Sequence, residues 1–256
     1  MFVFNVLAWF YTNFGTALSA PAQSTYIKSM LRFSPILLAL IIGYVTYLFS
    51  AHRSKRDLSR NSTPLQDQAL KKLLSQMAEA LDIPRVKVMV YEIEPVNGLA
   101  APDGRIFITR GLLNKYTSGE ISSAELASVI AHELGHIALG HSKRRLIDFG
   151  GQNVMRAMLM GVFGRYLPIV GGYLANFLIQ MLAASLSRKD EYEADAYGAA
   201  LLLKSGIGLS AQISMFRKLE SWGKAQGGAP AWLMSHPETG KRIAEIEKLK
   251  ASWEVK

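Results

Sequence analysis

The chain has no cysteine among its 256 residues. That excludes disulfides, thiolate metal sites and a lipid-modified N-terminal cysteine, but leaves the redox compartment open. Histidine is scarce, at five residues, and acidic side chains are outnumbered, with 20 Asp and Glu against 29 Lys and Arg for a net charge of +9. The basic excess is spread along the chain apart from one cluster at Arg53–Arg60. It is not matched by a glycine-rich phosphate loop, zinc-finger spacing or an aromatic RNA-binding signature, so nucleic acid is not an expected partner. The length suits one sizeable domain plus an anchor, not several domains.

The first fifty or so residues have a composition of their own. Pro35–Ala51 runs uncharged for 17 residues, near the lower limit for crossing the hydrocarbon core, and reads as a transmembrane helix. Met1–Ala20 is also uncharged and ends in small residues. It fits either a signal peptide lacking its basic start or, preferably, a first membrane helix that forms a hairpin with the second. Arg53, Lys55, Arg56 and Arg60 follow the second helix, and this excess of positive charge places the rest of the chain on the cytoplasmic side. The expected division is therefore 1–60, membrane anchor and basic linker, and 61–256, a catalytic domain.

Within that domain, Ser62-Thr63-Pro64 reads as a helix start, with apolar residues at helical spacing from Leu65 to Leu81 and a stop at Pro84. Val86–Ile93 and Arg105–Thr109 alternate and are β-branched, as strands of a small sheet are, with a turn at Pro102-Asp103-Gly104. Ser122-Ser123-Ala124-Glu125 fits a capping box opening the next helix. The expected class is α+β, mainly helical.

That helix carries AHELGHIALGH, Ala131–His141, and with it three of the five histidines. Four residues apart, His132 and His136 share one face and bring two imidazoles to one metal; Glu133 beside them is placed to take a proton from a metal-bound water. Ordinary surface histidines would give the same spacing, so the third ligand decides. His141 comes one residue too early for a HExxHxxGxxH arrangement. SRKDEYEADAYG, Ser187–Gly198, offers Glu191 and Asp195, four apart on a helix ending near Gly206. One can ligate while the other accepts from a ligand imidazole. Alone, such a pair is a solvated helix face.

These stretches, with SHPETGKRI at Ser235–Ile243 and VNGLAAPDGRIFITRGLL at Val96–Leu113, resemble the successive signatures of the membrane-associated zinc endopeptidases related to HtpX and to the CaaX prenyl proteases. The resemblance covers roughly Leu65–Leu249 and implies a gluzincin-type metalloprotease domain with one zinc per chain. It makes His132, His136 and Glu191 the zinc ligands, Glu133 the general base and Asp195 the partner of a ligand histidine. His236 and Arg242 would face the reacting carbonyl, and Asn97 and Ala100 would contact substrate, with Gly98 and Leu99 departing from the family's usual Ala and Phe. His236 ahead of Pro237 also reads simply as a helix start. An extended substrate is expected on the sheet edge near Ala100–Thr109.

Tyr166–Ser187 is uncharged for 22 residues. A single crossing there would part His136 from Glu191, so 150–187 is expected to be a hydrophobic hairpin that covers the site and touches lipid, in preference to two cramped spans. The expected function is zinc-dependent endopeptidase at a membrane, the bacterial inner membrane, with polypeptide substrates and a part in membrane or misfolded-protein quality control. Processing of prenylated proteins would need more membrane spans. The alternative outside enzymes is a membrane-tethered chaperone or binding module with a non-catalytic zinc site.

Overall fold

A computed structural model describes residues 55–101, 103–141, 170–225 and 239–254, with shorter pieces between 41 and 53, between 144 and 167, and at 231–232 and 236. Met1–Ala20, and all but a few residues of Pro35–Ala51, lie outside the described residues. The chain divides into two compact units, Met1–Arg56 and Asp57–Lys256; the second carries the elements below. Among the described residues, no helix is long and apolar enough to cross a membrane.

The second unit is a mainly helical α+β structure. Its elements are β1 (Ser62–Pro64), α1 (Gln68–Ala80), β2 (Val88–Tyr91), β3 (Gly98–Ala100), β4 (Ile106–Thr109), α2 (Arg110–Thr117), α3 (Ser123–Ala138), α4 (Gly171–Lys204), α5 (Ser210–Ala225) and α6 (Thr239–Glu254). The strands run in the order β1-β2-β4-β3, with β2 and β4 parallel and both outer strands antiparallel to their neighbours. Ser62-Thr63-Pro64 is thus a strand and not a helix start. Asp67, whose side chain accepts from Leu70 N–H, caps α1 instead. Ile106–Thr109 is an interior strand buried along its whole length, so the sheet edges are β1 and β3 and not β4.

The core lies between the sheet and the helices. Leu70 and Met77 of α1, Ile106 and Ile108 of β4, Leu126 and Ile130 of α3, and Phe216 of α5 are all within 1% of full burial. α3 is the central element, since every residue from Glu125 to His136 is buried, the polar Glu125, Ser128, His132, Glu133 and His136 among them. Its capping box is formed: Glu125 N–H donates to Ser122 Oγ at 3.2 Å, and Ser122 N–H to Glu125 Oε2 at 2.6 Å. Burial raises the Glu125 carboxyl, but hydrogen bonds from Lys218, Ser214 and Ser122 outweigh it and hold the group at about 2. The first turn of α3 is thereby tied to α5.

α4 begins at Gly171 and continues through Ser187 to Lys204, with Gly206 turning at φ 72° just beyond. The apolar and acidic stretches therefore share one helix. A Cβ on Gly171 would lie 2.6 Å from the Phe163 carbonyl, so the chain entering α4 passes where only glycine fits.

Candidate metal centre and active site

Two helices bring the predicted residues together. α3 presents His132, Glu133 and His136, and α4 presents Glu191 and Asp195. They approach closely because small residues face each other. A Cβ on Gly135 would fall 2.8 Å from Ala194 O and 2.9 Å from Ala194 Cα, and one on Gly198 would fall 3.2 Å from the His132 backbone nitrogen.

In the gap between them the side chains converge. His132 Nε2 and His136 Nε2 are 3.1 Å apart. Glu191 spans both, with Oε2 3.4 Å from His132 Nε2 and Oε1 3.5 Å from His136 Nε2. His236 Nδ1 lies 2.7 Å from Glu191 Oε2 and 3.4 Å from His132 Nε2. Donor atoms of His132, His136, Glu191 and His236 all fall within 4.8 Å of one another, and all four residues are buried. Ligands at about 2.1 Å around a tetrahedral ion stand roughly 3.4 Å apart, so these separations suit one metal ion with nitrogen and oxygen donors.

The electrostatics agree. Burial lowers the His132 imidazole, yet hydrogen bonds to Asp195 and Glu191 more than offset it and raise the group to about 9. Burial raises Glu191, but His132 and His236 pull it far below the ordinary carboxylate range. A pocket that drives a buried imidazole towards its cation is one that favours positive charge. Glu133 differs: burial is the largest influence on it and pushes its pKa up, and its Oε1 accepts no hydrogen bond from the protein although it is inaccessible to solvent.

Asp195 stands behind His132, accepting from Nδ1–H at 2.8 Å. Arg242, expected to face the reacting carbonyl, reaches the metal cluster at Glu191, with Nη1 3.4 Å from Oε2, and its hydrogen bonds go to Asp195 and His236. Nε and Nη2 donate to the two Asp195 oxygens at 2.6 and 2.7 Å, and Nη1 donates to the His236 carbonyl at 3.2 Å. The guanidinium is 1% exposed and lies over the Phe216 ring at 4.6 Å. Burial raises the Asp195 carboxyl, but Arg242 and His132 outweigh it and hold it below its usual range.

On the outer strand it is Gly98 that abuts the site. A Cβ there would stand 3.0 Å from Val129 Cγ1, 3.3 Å from Trp232 and 3.4 Å from Glu133 Oε1. Asn97 and Ala100 flank it: Asn97 exchanges hydrogen bonds with Thr109, and Ala100 pairs with Ile106. Two residues at the site have no role in the sequence reading. Trp232 is fully buried and stacks on His236, with centroids 4.2 Å apart, while its backbone N–H donates to Val96 O. His141 packs behind His136, their Nδ1 atoms 2.8 Å apart.

Comparison with known proteins follows the same residues. The profile of Peptidase family M48 matches residues 64–250. The Escherichia coli metalloprotease LoiP is 30% identical over 164 residues, which cover 63% of this chain and 61% of LoiP. Human mitochondrial metalloendopeptidase OMA1 is 26% identical over 196 residues, covering 71% of this chain and 36% of OMA1. The chain thus spans about three fifths of the one and about a third of the other. A protease HtpX homolog of Bordetella pertussis is 26% identical over 267 residues, 88% of this chain and 87% of that protein. The crystal structure of S. mikatae Ste24p shares the fold, with a TM-score of 0.56 at 19% identity over 95% of this chain and 64% of the other. With its His and Glu cluster inside the matched segment, the chain belongs to Peptidase family M48.

Proposed function

We propose that this chain is a zinc-dependent endopeptidase acting on polypeptides at a membrane. The observation that carries the reading is Glu133: a fully buried carboxylate, one oxygen without a protein donor, beside a cluster of ligands suited to one ion. A structural role would leave such a group unexplained, because burying a carboxylate oxygen without a hydrogen-bond donor is costly. His132, His136 and Glu191 would hold zinc, which when bound lowers the pKa of a ligated water and polarises a peptide carbonyl.

The remaining steps belong to the chain's own groups. Glu133, its pKa raised by burial, takes a proton and returns it to the leaving amine. Asp195 holds the hydrogen on His132 Nδ1, so that Nε2 presents its lone pair to the ion. Arg242 holds Asp195 in turn and is assigned to positioning. His236 Nε2 lies 3.6 Å from Glu133 Oε1, a place from which it can donate to charge developing on the carbonyl oxygen. An extended substrate adds to β3 beside Gly98, with Asn97 and Ala100 on its path, gaining main-chain hydrogen bonds that carry little sequence preference. Broad specificity suits turnover of misfolded or membrane proteins. Pro35–Ala51 supplies the anchor, and the basic residues that follow place the catalytic unit on the cytoplasmic side of a bacterial inner membrane.

One observation favours a second reading. With His236 the cluster offers four protein donors, the closed set of a structural zinc site, as a tethered binding module would have. Zinc content and casein cleavage of the wild type, Glu133→Gln and His236→Ala separate the two. A protease keeps zinc in all three and loses about 10²–10⁴-fold in cleavage in the Glu133 variant. Loss of zinc in His236→Ala, with activity indifferent to Glu133→Gln, would establish the structural site instead.

A further inference from the structure

The third histidine of the Ala131–His141 stretch has no part in the chemistry above. On a continuing helix it would point about 140° away from His136, because five residues at 3.6 per turn overshoot one turn. α3 does not continue that far. It ends at Ala138, Leu139 caps it, and Gly140 turns at φ 67°, a left-handed conformation open to glycine. The turn swings His141 back behind His136, where it is 1% exposed and its Nδ1 lies 2.8 Å from His136 Nδ1.

Two imidazole nitrogens at that distance share one hydrogen, and the far side of His136 decides which carries it. His136 Nε2 faces the cluster, 3.1 Å from His132 Nε2 and 3.5 Å from Glu191 Oε1. With Nε2 bare to hold the ion, the hydrogen sits on Nδ1 and is donated to His141 Nδ1. His141 must then carry its own hydrogen on Nε2, and an acceptor stands there, Glu193 Oε2 at 3.2 Å, with the Asp190 carboxylate further off at 3.9 Å. Arg144 Nη1 fixes both carboxylates, donating to Asp190 at 3.1 Å and Glu193 at 2.7 Å. His141, Asp190 and Glu193 are near enough to hold an ion themselves, but the Arg144 cation already sits against their carboxylates.

We infer that His141 is a positioning residue that fixes the ring of His136 with Nε2 towards the metal, through a chain running His136, His141, Glu193 and Arg144. The inference rests on the metal reading of the cluster. It gives the two ligand histidines unlike supports. His132 is backed by a carboxylate that strengthens it as a donor, and His136 by a neutral ring that orients it while polarising it less.

The test measures zinc dissociation constants by chelator competition, and the visible absorption of the cobalt-substituted protein, on the full-length chain. His141→Leu keeps bulk but accepts nothing; His141→Gln offers an amide oxygen to His136 Nδ1–H and an NH₂ group to Glu193. The Leu variant is expected to bind zinc about 10–100-fold more weakly with shifted cobalt bands, and the Gln variant to recover much of both. Glu193→Ala, on a partly exposed side chain, is expected to weaken zinc by a smaller factor and serves if the Leu variant does not fold. Zinc binding within twofold of wild type in His141→Leu, or in Glu193→Ala where only that variant folds, overturns the inference. So does equal loss in Leu and Gln, which would make volume the cause. Two zinc ions per wild-type chain with one in His141→Leu would make His141 a ligand in its own right and overturn it as well. A wild type that holds no zinc defeats the metal reading and the inference with it, a result distinct from equal zinc in every variant.

Discussion

Asp195 is held between two groups that both draw on its charge, His132 Nδ1–H at 2.8 Å and the Arg242 guanidinium at 2.6 and 2.7 Å. All three side chains are at most 3% exposed. A buried pair of this kind adds little net stability, but removing one partner strands the other and costs about 3–5 kcal/mol. Asp195→Asn keeps the shape and an oxygen for His132 while removing the charge that both neighbours need. Zinc affinity is expected to fall by roughly 10–100-fold, from weaker polarisation of His132, and the thermal midpoint to drop because Arg242 is left uncompensated. Chelator competition and a melting curve measure the two effects separately. Unchanged zinc affinity with a lowered midpoint would reduce Asp195 to a structural partner of Arg242.

The crossing of α3 and α4 sets the ligand geometry, and Gly135 sets the crossing. Gly135→Ala would put a methyl 2.8 Å from Ala194 O and 2.9 Å from Ala194 Cα, backbone atoms that cannot rotate aside. The helices must part by several tenths of an ångström, at a cost of about 1–3 kcal/mol. Glu191, one turn from Ala194, moves off His132 and His136. The expected result is a folded protein with weakened zinc binding, read by circular dichroism beside metal content, and full zinc occupancy would mean that the crossing is looser than the contacts imply. What was legible in the sequence at this scale was whatever is local and periodic. The capping box at Ser122 and Glu125 and the four-residue spacings of His132 with His136 and Glu191 with Asp195 all follow from helical geometry. The signal at Ser62-Thr63-Pro64 failed because pairing with β2, a long-range event, competes with helix initiation there and Asp67 caps the helix later. β3, three residues long, is too short for alternation to register, and Trp232 reaches His236 through tertiary packing that no spacing encodes. His141 was visible as a histidine but not as a partner of His136, since its place depends on the turn at Gly140.

Among the described residues of the second unit, exposed large apolar side chains gather on the first half of α4 and the pieces just before it. Tyr173, Phe177 and Met181 repeat every four residues along the first half of α4 and are 79%, 57% and 55% exposed, with Val170 preceding them at 59%. Ala175 and Ile179, buried, mark the opposite face of the same helix. Scattered exposed hydrophobics need no explanation, whereas a stripe of large ones marks a surface that something covers. Each such side chain gains roughly 1.5–3 kcal/mol on full burial, enough for peripheral contact with lipid once an anchor holds the chain nearby, though not for insertion by itself. The net charge of +9 adds attraction to an anionic leaflet. Tyr173→Trp places an indole on the stripe, and in vesicles containing brominated phospholipid its added emission is expected to be quenched relative to unbrominated vesicles. Zinc content should not change, because Tyr173 lies more than four helical turns from Glu191 by the rise of an α-helix, about 27 Å. Emission equally strong in both kinds of vesicle would put the stripe in water or against protein, and the proposed membrane association would then have no support from α4.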